Sequence, residues 1–191
     1  DRYGVHYPNN ILKQPLKSIS YGNRGMDLEN LLNLSNLYYE EQNRAFIFKK
    51  PTPIGVVDVH YSPKGKIIDK AYFKAPSTLD YNGLYRGRYV EFEAKETKQK
   101  TSFPLSNIHP HQIKHMKRIL EHAGIVFLVV LINQQVFLLD GQDFLDYIYQ
   151  NERKSIPYSY FLEKGHIIKE KIDPPLDYLA LVDQLYFGGT I

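Results

Sequence analysis

Residues 125–132 read IVFLVVLI, eight apolar side chains without a break, and no other stretch narrows the fold as much. The run is far short of the roughly 18 apolar residues that a membrane span requires. Its β-branched content, with Gly124 just before it, makes it a strand buried in a protein interior. A second apolar run, VFLLD at 136–140, follows closely and reads the same way. Buried strands need covering layers, and helical patterns stand on both sides of them in the chain. Leu28, Leu31, Leu32, Ser35 and Tyr39 recur at i, i+3, i+4, i+7 spacing, one buried stripe of a first helix. Another helix begins near His109, with Pro110 in its first turn, and stops at Ala123–Gly124. Further helices are expected over Asp143–Glu152 and near Leu176–Tyr186, with an irregular stretch, SIPYSYFLEKGHII, between them.

Two hairpins complete the pattern. GVVDVHY and KIIDKAYF flank the turn residues SPKG, and DYNGLY and RYVEFEAKET flank Arg86–Gly87. A short strand, AFIF at 45–48, is ended by KKPTP, whose prolines remove ladder donors. Residues 1–22 are polar and aperiodic and read as a flexible basic arm. The fold expected is one α/β domain over 23–191, with the first hairpin inserted at about 51–76.

The 191 residues suffice for a single core. With no cysteine, disulfides and zinc–thiolate sites are excluded, and a cytoplasmic location is the default. The net charge of +3 is unevenly spread: residues 1–120 hold 19 Lys/Arg against 11 Asp/Glu, and residues 121–191 hold 5 against 10. A basic front and an acidic back suit a protein that meets a polyanion on one side. The first hairpin carries Lys64, Lys66 and Lys70. Such lysines fit DNA contact, and equally they protect an exposed strand edge from aggregation.

The chemistry is concentrated in YVEFEAKET. Alternate residues of a strand share a face, so Val90, Phe92 and Ala94 form an apolar face and Glu91, Glu93 and Lys95 a charged one. A two-residue turn at Arg86–Gly87 sets Tyr85 opposite Arg88, which brings Asp80 opposite Glu93 and Thr78 opposite Lys95. Like charges so placed are destabilising; Lys95 answers part of the conflict and a divalent cation answers it better, since Mg²⁺ is held by one or two carboxylates plus water and phosphate. On the following helix, Gln112, Met116, Ile119 and Ala123 share an inward face, with Gln112 its one polar member. Gln112 there is either a cap or a partner of the metal site. Two carboxylates to bind a cation, a cation to activate water and a lysine to stabilise charge on phosphate make a hydrolytic site. A glutamate–x–lysine pair alone is also a common surface ion pair.

The wording carries more. NRGMDLE, KKPTPIGVVDV, STLDYNGLYRGRYVEFEAKETKQKTSFPL and HPHQIKHM closely resemble the RecU-type Holliday junction resolvases of Gram-positive bacteria, from about Asn23 onward. The resemblance implies a restriction-endonuclease-like core, a mixed β-sheet flanked by helices with a protruding β-hairpin stalk. It implies a homodimer that uses Mg²⁺, with Mn²⁺ as substitute, to resolve four-way DNA junctions by paired symmetric cuts. Carried over by motif, Thr78, Asp80, Glu93 and Gln112 are the metal site, Lys95 the transition-state stabiliser and Glu29 an acidic residue of the catalytic machinery. Arg24, Lys64, Lys66, Lys70, Lys98 and Lys100 are the expected DNA contacts. The recombinase filament is a further expected partner, the nucleoid the expected location, and no membrane is involved.

Leu79 stands where the family wording STTDYNG has a second threonine, and strand alternation places it away from Asp80. The fold's motif proline is also absent before Asp80. A restriction-type duplex endonuclease and a non-catalytic DNA-binding or recombinase-regulating protein are the alternatives. A projecting basic hairpin favours a junction over a duplex, and the intact Asp80, Glu93 and Lys95 favour an enzyme.

Overall fold

Both faces of Ile125–Ile132 are covered, as an unbroken apolar strand requires. The structure is a computed structural model that describes residues 27–74 and 78–188. The expected basic arm (1–22), Arg24 and residues 75–77 lie outside the described residues. Six strands form the main sheet. In spatial order they are β1 (Phe46–Lys49), β4 (Tyr81–Tyr85), β5 (Arg88–Glu96), β7 (Ile125–Ile132), β8 (Gln135–Asp140) and β10 (His166–Ile167). β5 and β7 are parallel, and the other neighbours are antiparallel. The sheet is therefore mixed, and the parallel pair is joined through helix α2 (Pro110–Glu121).

Strand alternation divides the core into two layers. Ile125, Phe127 and Val129 join Val90 and Phe92 against α1 (Leu28–Glu41) and α5 (Tyr178–Tyr186). Val126, Leu128, Val130 and Ile132 face α2, α3 (Gly141–Gln150) and α4 (Tyr158–Lys164). In the first layer the Tyr81, Phe92 and Phe127 rings stack across three adjacent strands, with centroids 4.7 and 4.8 Å apart. This aromatic ladder locks the register of β4 and β5, where the charged residues sit.

Some expectations need correction. SIPYSYFLEKGHII is not irregular: it contains β9 (Ser155–Pro157), which pairs with β6 (Ser102–Pro104), then α4, then the edge strand β10. These pieces are too short for periodicity to reveal them. Helix α3 starts at Gly141, because the Asp140 carboxylate accepts from the Gln142 N–H at 2.7 Å and caps it earlier than expected. Helix α2 ends at Glu121, so Ala123 is not on its inward face; Ala123 is exposed, in the left-handed region at φ +58°. The next residue, Gly124, has no room for a side chain, since a Cβ there would meet Ile119 at 2.5 Å.

The inserted hairpin consists of β2 (Ile54–Ser62) and β3 (Gly65–Phe73), paired only with each other. Register shifts surround Asp58. Gly55, under the Tyr72 ring, is the hairpin's one buried residue; Val57, Val59, Ile67 and Ala71 are exposed.

Candidate functional site

The site forms where β4 begins beside β5. Arg86 and Gly87 both have positive φ, +49° and +76°, the type I′ geometry that fits strand twist. Tyr85 consequently faces Arg88 and Tyr81 faces Phe92, the register inferred from sequence. Strand pairing stops there. Thr78–Asp80 is not strand, so Thr78 does not pair with Lys95 as expected; it lines a groove with Lys49, Lys50 and Asp80. Leu79 is buried in the α2-side layer, and Asp80 lines a cavity with Leu28, Glu29 and Ala94 on the α1 side.

Asp80 and Glu93 are brought together as expected. The Asp80 N–H donates to Glu93 Oε2 at 3.0 Å. Lys95 Nζ lies between the two carboxylates, in ion-pair contact with Glu93 Oε1 and 3.7 Å from Asp80 Oδ2. Glu93 Oε1 is buried, with the Lys95 ammonium against it and no further aligned donor. Burial foremost, then the Asp80 charge, push Glu93 up to about 7, against the opposing pull of Lys95 and the nearby Gln112 amide. Burial by itself would lower Lys95, but Glu93 and Asp80 outweigh it and hold the ammonium above its ordinary value.

Gln112 is buried, and its Oε1 accepts from the His109 N–H at 2.9 Å, capping α2. The capping alternative is thus realised, and one lone pair of that oxygen remains. Glu29 is half-exposed and ion-paired with Lys49. It shares a cavity of about 240 Å³ with Asp27, Asp80, Tyr81 and Glu96. Burial foremost, then the charges of Glu29, Asp80, Asp27 and Glu93, raise the Tyr81 hydroxyl above its ordinary range. The N-terminus of α1 is anchored here, because the Leu28 N–H donates to Glu96 Oε1 at 2.6 Å. Lys98 and Lys100 are exposed on the loop after β5; Lys64, Lys66 and Lys70 are exposed on the hairpin.

The chemistry of the donor set fits a small hard cation. Two carboxylates, Asp80 and Glu93, share the single ammonium of Lys95 and so keep one negative charge in excess, and Mg²⁺ takes one or two carboxylates with water in the rest of its shell. Among the described residues no group of three or more His, Cys, Asp or Glu has the spacing to hold a metal by itself. A cation here would therefore depend on water and substrate oxygens as well.

Sequence reasoning put Glu91 on the charged face but missed what surrounds it. Glu91 is fully buried. Its Oε1 accepts from Lys50 Nζ and from the Leu79 N–H at 3.0 Å, and its Oε2 from Tyr89 Oη at 2.6 Å; His115 Nε2 lies 2.9 Å from Oε2. The signal was present in the pair Lys49–Lys50, whose alternation sends one lysine to Glu29 and the other to Glu91.

Residues 23–184 match the family described as Recombination protein U, RecU. The Holliday junction resolvase RecU of Shouchella clausii is 50% identical over 182 residues, covering 93% of this chain and 87% of that protein. The protein of the same name from Bacillus subtilis is 45% identical over 200 residues, 97% of each chain. Among solved structures the chain is similar to Hjc, a Holliday junction resolvase of Archaeoglobus fulgidus, at a TM-score of 0.40 and 11% identity over 69% of this chain and 90% of that one. That likeness is too low to bear on the fold.

Proposed function

The chain belongs to the RecU family, and from that premise we propose that it is a Holliday junction resolvase, a divalent-metal-dependent endonuclease acting in recombination and repair. The observation that carries the reading is the buried Glu93 carboxylate set beside Asp80, with the Lys95 ammonium between the two. Asp80 and Glu93, with Thr78 and the free lone pair of Gln112, would hold Mg²⁺ or Mn²⁺. Such a cation supplies Lewis acidity toward a phosphodiester and makes water more acidic.

The protein's own groups have separate tasks. Lys95, kept protonated by its two carboxylate neighbours, is placed to stabilise charge growing on the phosphate. Glu93 would be held ionised by a bound cation, whose charge would offset the opposition between Glu93 and Asp80. Glu29, on the rim of the adjoining cavity, helps to position the attacking water. Lys98, Lys100 and Arg24 bind backbone phosphates.

Each chain has one such site, and a four-way junction has two equivalent strands to cut. Two copies related by a two-fold axis would make paired symmetric cuts, so we take the functional unit to be a homodimer. The hairpin, with lysines at its tip, suits the phosphate-lined centre of an open junction, and a duplex has no such centre. A recombinase filament on the nucleoid is the expected partner and setting.

The test offers Mg²⁺ and the protein a synthetic four-way junction and a duplex of matching sequence. Paired nicks in the junction with an intact duplex are expected. Equal cutting of both, or none of either, would overturn the reading.

A further inference from the structure

Glu91 has no place in the chemistry above, yet it is the most heavily bonded side chain in this part of the molecule. Burying a carboxylate is costly unless its oxygens are paired and hydrogen-bonded. Burial by itself would raise the Glu91 pKa, and the donors from Lys50, Tyr89 and His115 outweigh it and hold it below the ordinary carboxylate value.

What those donors belong to matters more. Oε1 accepts from both Lys50 and the Leu79 N–H. Lys50 lies just before β2 and Leu79 comes after β3, so a single oxygen ties the outgoing and returning roots of the hairpin. The same two roots are joined by the Lys50 N–H, which donates to the Asp80 carbonyl at 2.8 Å. Leu79 is also next to Asp80. Two carboxylates on one face of β5, Glu91 and Glu93, thus hold consecutive amides, those of Leu79 and Asp80, in a segment that no strand ladder supports.

We infer that Glu91 is the positioning residue that fixes the Thr78–Asp80 segment and the hairpin roots, and thereby sets the Asp80 carboxylate against Glu93. Lys50, Tyr89 and His115 hold Glu91 charged and in one orientation. The inference rests on the cation site proposed above. Groups that orient metal ligands alter affinity or activity by roughly 10–100-fold when removed.

Glu91→Gln keeps the shape but loses the charge and places a donor against Tyr89 and His115. The experiment compares it with the unaltered protein in four respects: Mn²⁺ affinity without DNA, junction affinity in Ca²⁺, single-turnover cleavage, and amide exchange of the 78–85 segment. The expected result is Mn²⁺ affinity and cleavage reduced about tenfold or more. Exchange should rise chiefly in this segment, with junction affinity close to the original and the unfolding temperature modestly lower, as loss of the Lys50 ion pair requires. Unchanged Mn²⁺ affinity in a folded variant overturns the inference. So does a loss in which exchange rises throughout the chain, since Glu91 is then a structural residue only. If Glu91→Gln does not fold, Tyr89→Phe removes one donor and leaves the charge; it should weaken Mn²⁺ binding by a smaller factor, and no weakening counts against the inference. Unaltered protein that binds no Mn²⁺ defeats the site proposal itself, an outcome distinct from these.

Discussion

Glu91 and Glu93 stand two residues apart on the same face of β5, both without solvent exposure, and their surroundings have opposite effects. Around Glu91, donors from the end of β1, the Thr78–Asp80 segment, β5 and α2 reach both oxygens, and its pKa falls. Around Glu93, one oxygen takes an amide, the other has no aligned donor, Asp80 adds repulsion, and the pKa rises to about 7. Burial raises both; at Glu91 the hydrogen bonds from Lys50, Tyr89 and His115 outweigh it, and at Glu93 the Asp80 charge adds to it against Lys95 and Gln112. A fully satisfied carboxylate holds structure, and an under-satisfied one beside another carboxylate is prepared for a cation.

The largest expected effect tests that division at its centre. Asp80→Asn or Glu93→Gln should abolish junction cleavage, measured with Mg²⁺ on a labelled junction. Binding in Ca²⁺ should persist or tighten, since removing a carboxylate removes repulsion toward phosphate. Full activity in either variant would break the contrast.

Lys95 belongs to the under-satisfied region. Lys95→Ala should lower single-turnover cleavage by about 10²–10³-fold, the size associated with one electrostatic stabiliser, and change junction affinity much less. A loss in affinity alone would make Lys95 a simple phosphate-binding group.

The hairpin extends the comparison beyond the site. Replacing Ser62–Lys66 with a short Gly-containing turn removes Lys64 and Lys66 and leaves Asp80, Glu93 and Lys95 intact. Gel-shift titrations should then give weaker junction binding, with residual duplex binding retained. The salt dependence should flatten by about 0.9 for each phosphate that the hairpin no longer neutralises. Equal weakening on both substrates would exclude the hairpin as the selective element.

The smallest effect is on stability. Glu93 in the folded protein holds its proton more tightly than its ordinary 4.5, up to about 7. The metal-free fold therefore loses stability as pH rises from 4.5 through 7. Glu91 has the opposite sign: its lowered pKa gives stability that is present above the ordinary value and lost as pH falls through the folded one. In EDTA, Glu93→Gln should unfold at a higher temperature than the original protein, by a margin that grows between pH 4.5 and 7 and then levels off. A constant margin would mean that Glu93 does not titrate there.

How much of this was legible in the sequence follows from the range of each interaction. The face division of β5 and the Asp80–Glu93 opposition come from period two and one turn, and both are local. The buried apolar runs likewise announced a sheet covered on both sides. The Lys50–Glu91 and His115–Glu91 contacts were not legible, because they join elements 41 and 24 residues apart and depend on packing. The support of the 78–80 segment was not legible either: beyond the Lys50 N–H bond to the Asp80 carbonyl, its amides are held by side-chain carboxylates from β5. Gln112 was read with both alternatives open, and the cap it forms leaves half of its acceptor capacity for the site.

The most direct measurement of the central claim is anomalous diffraction from crystals soaked in Mn²⁺. A peak bonded to Glu93 Oε1 and an Asp80 carboxylate oxygen, with none at Glu91, is the predicted result. A peak at Glu91, or Mn²⁺ bound only away from Asp80 and Glu93, would contradict it.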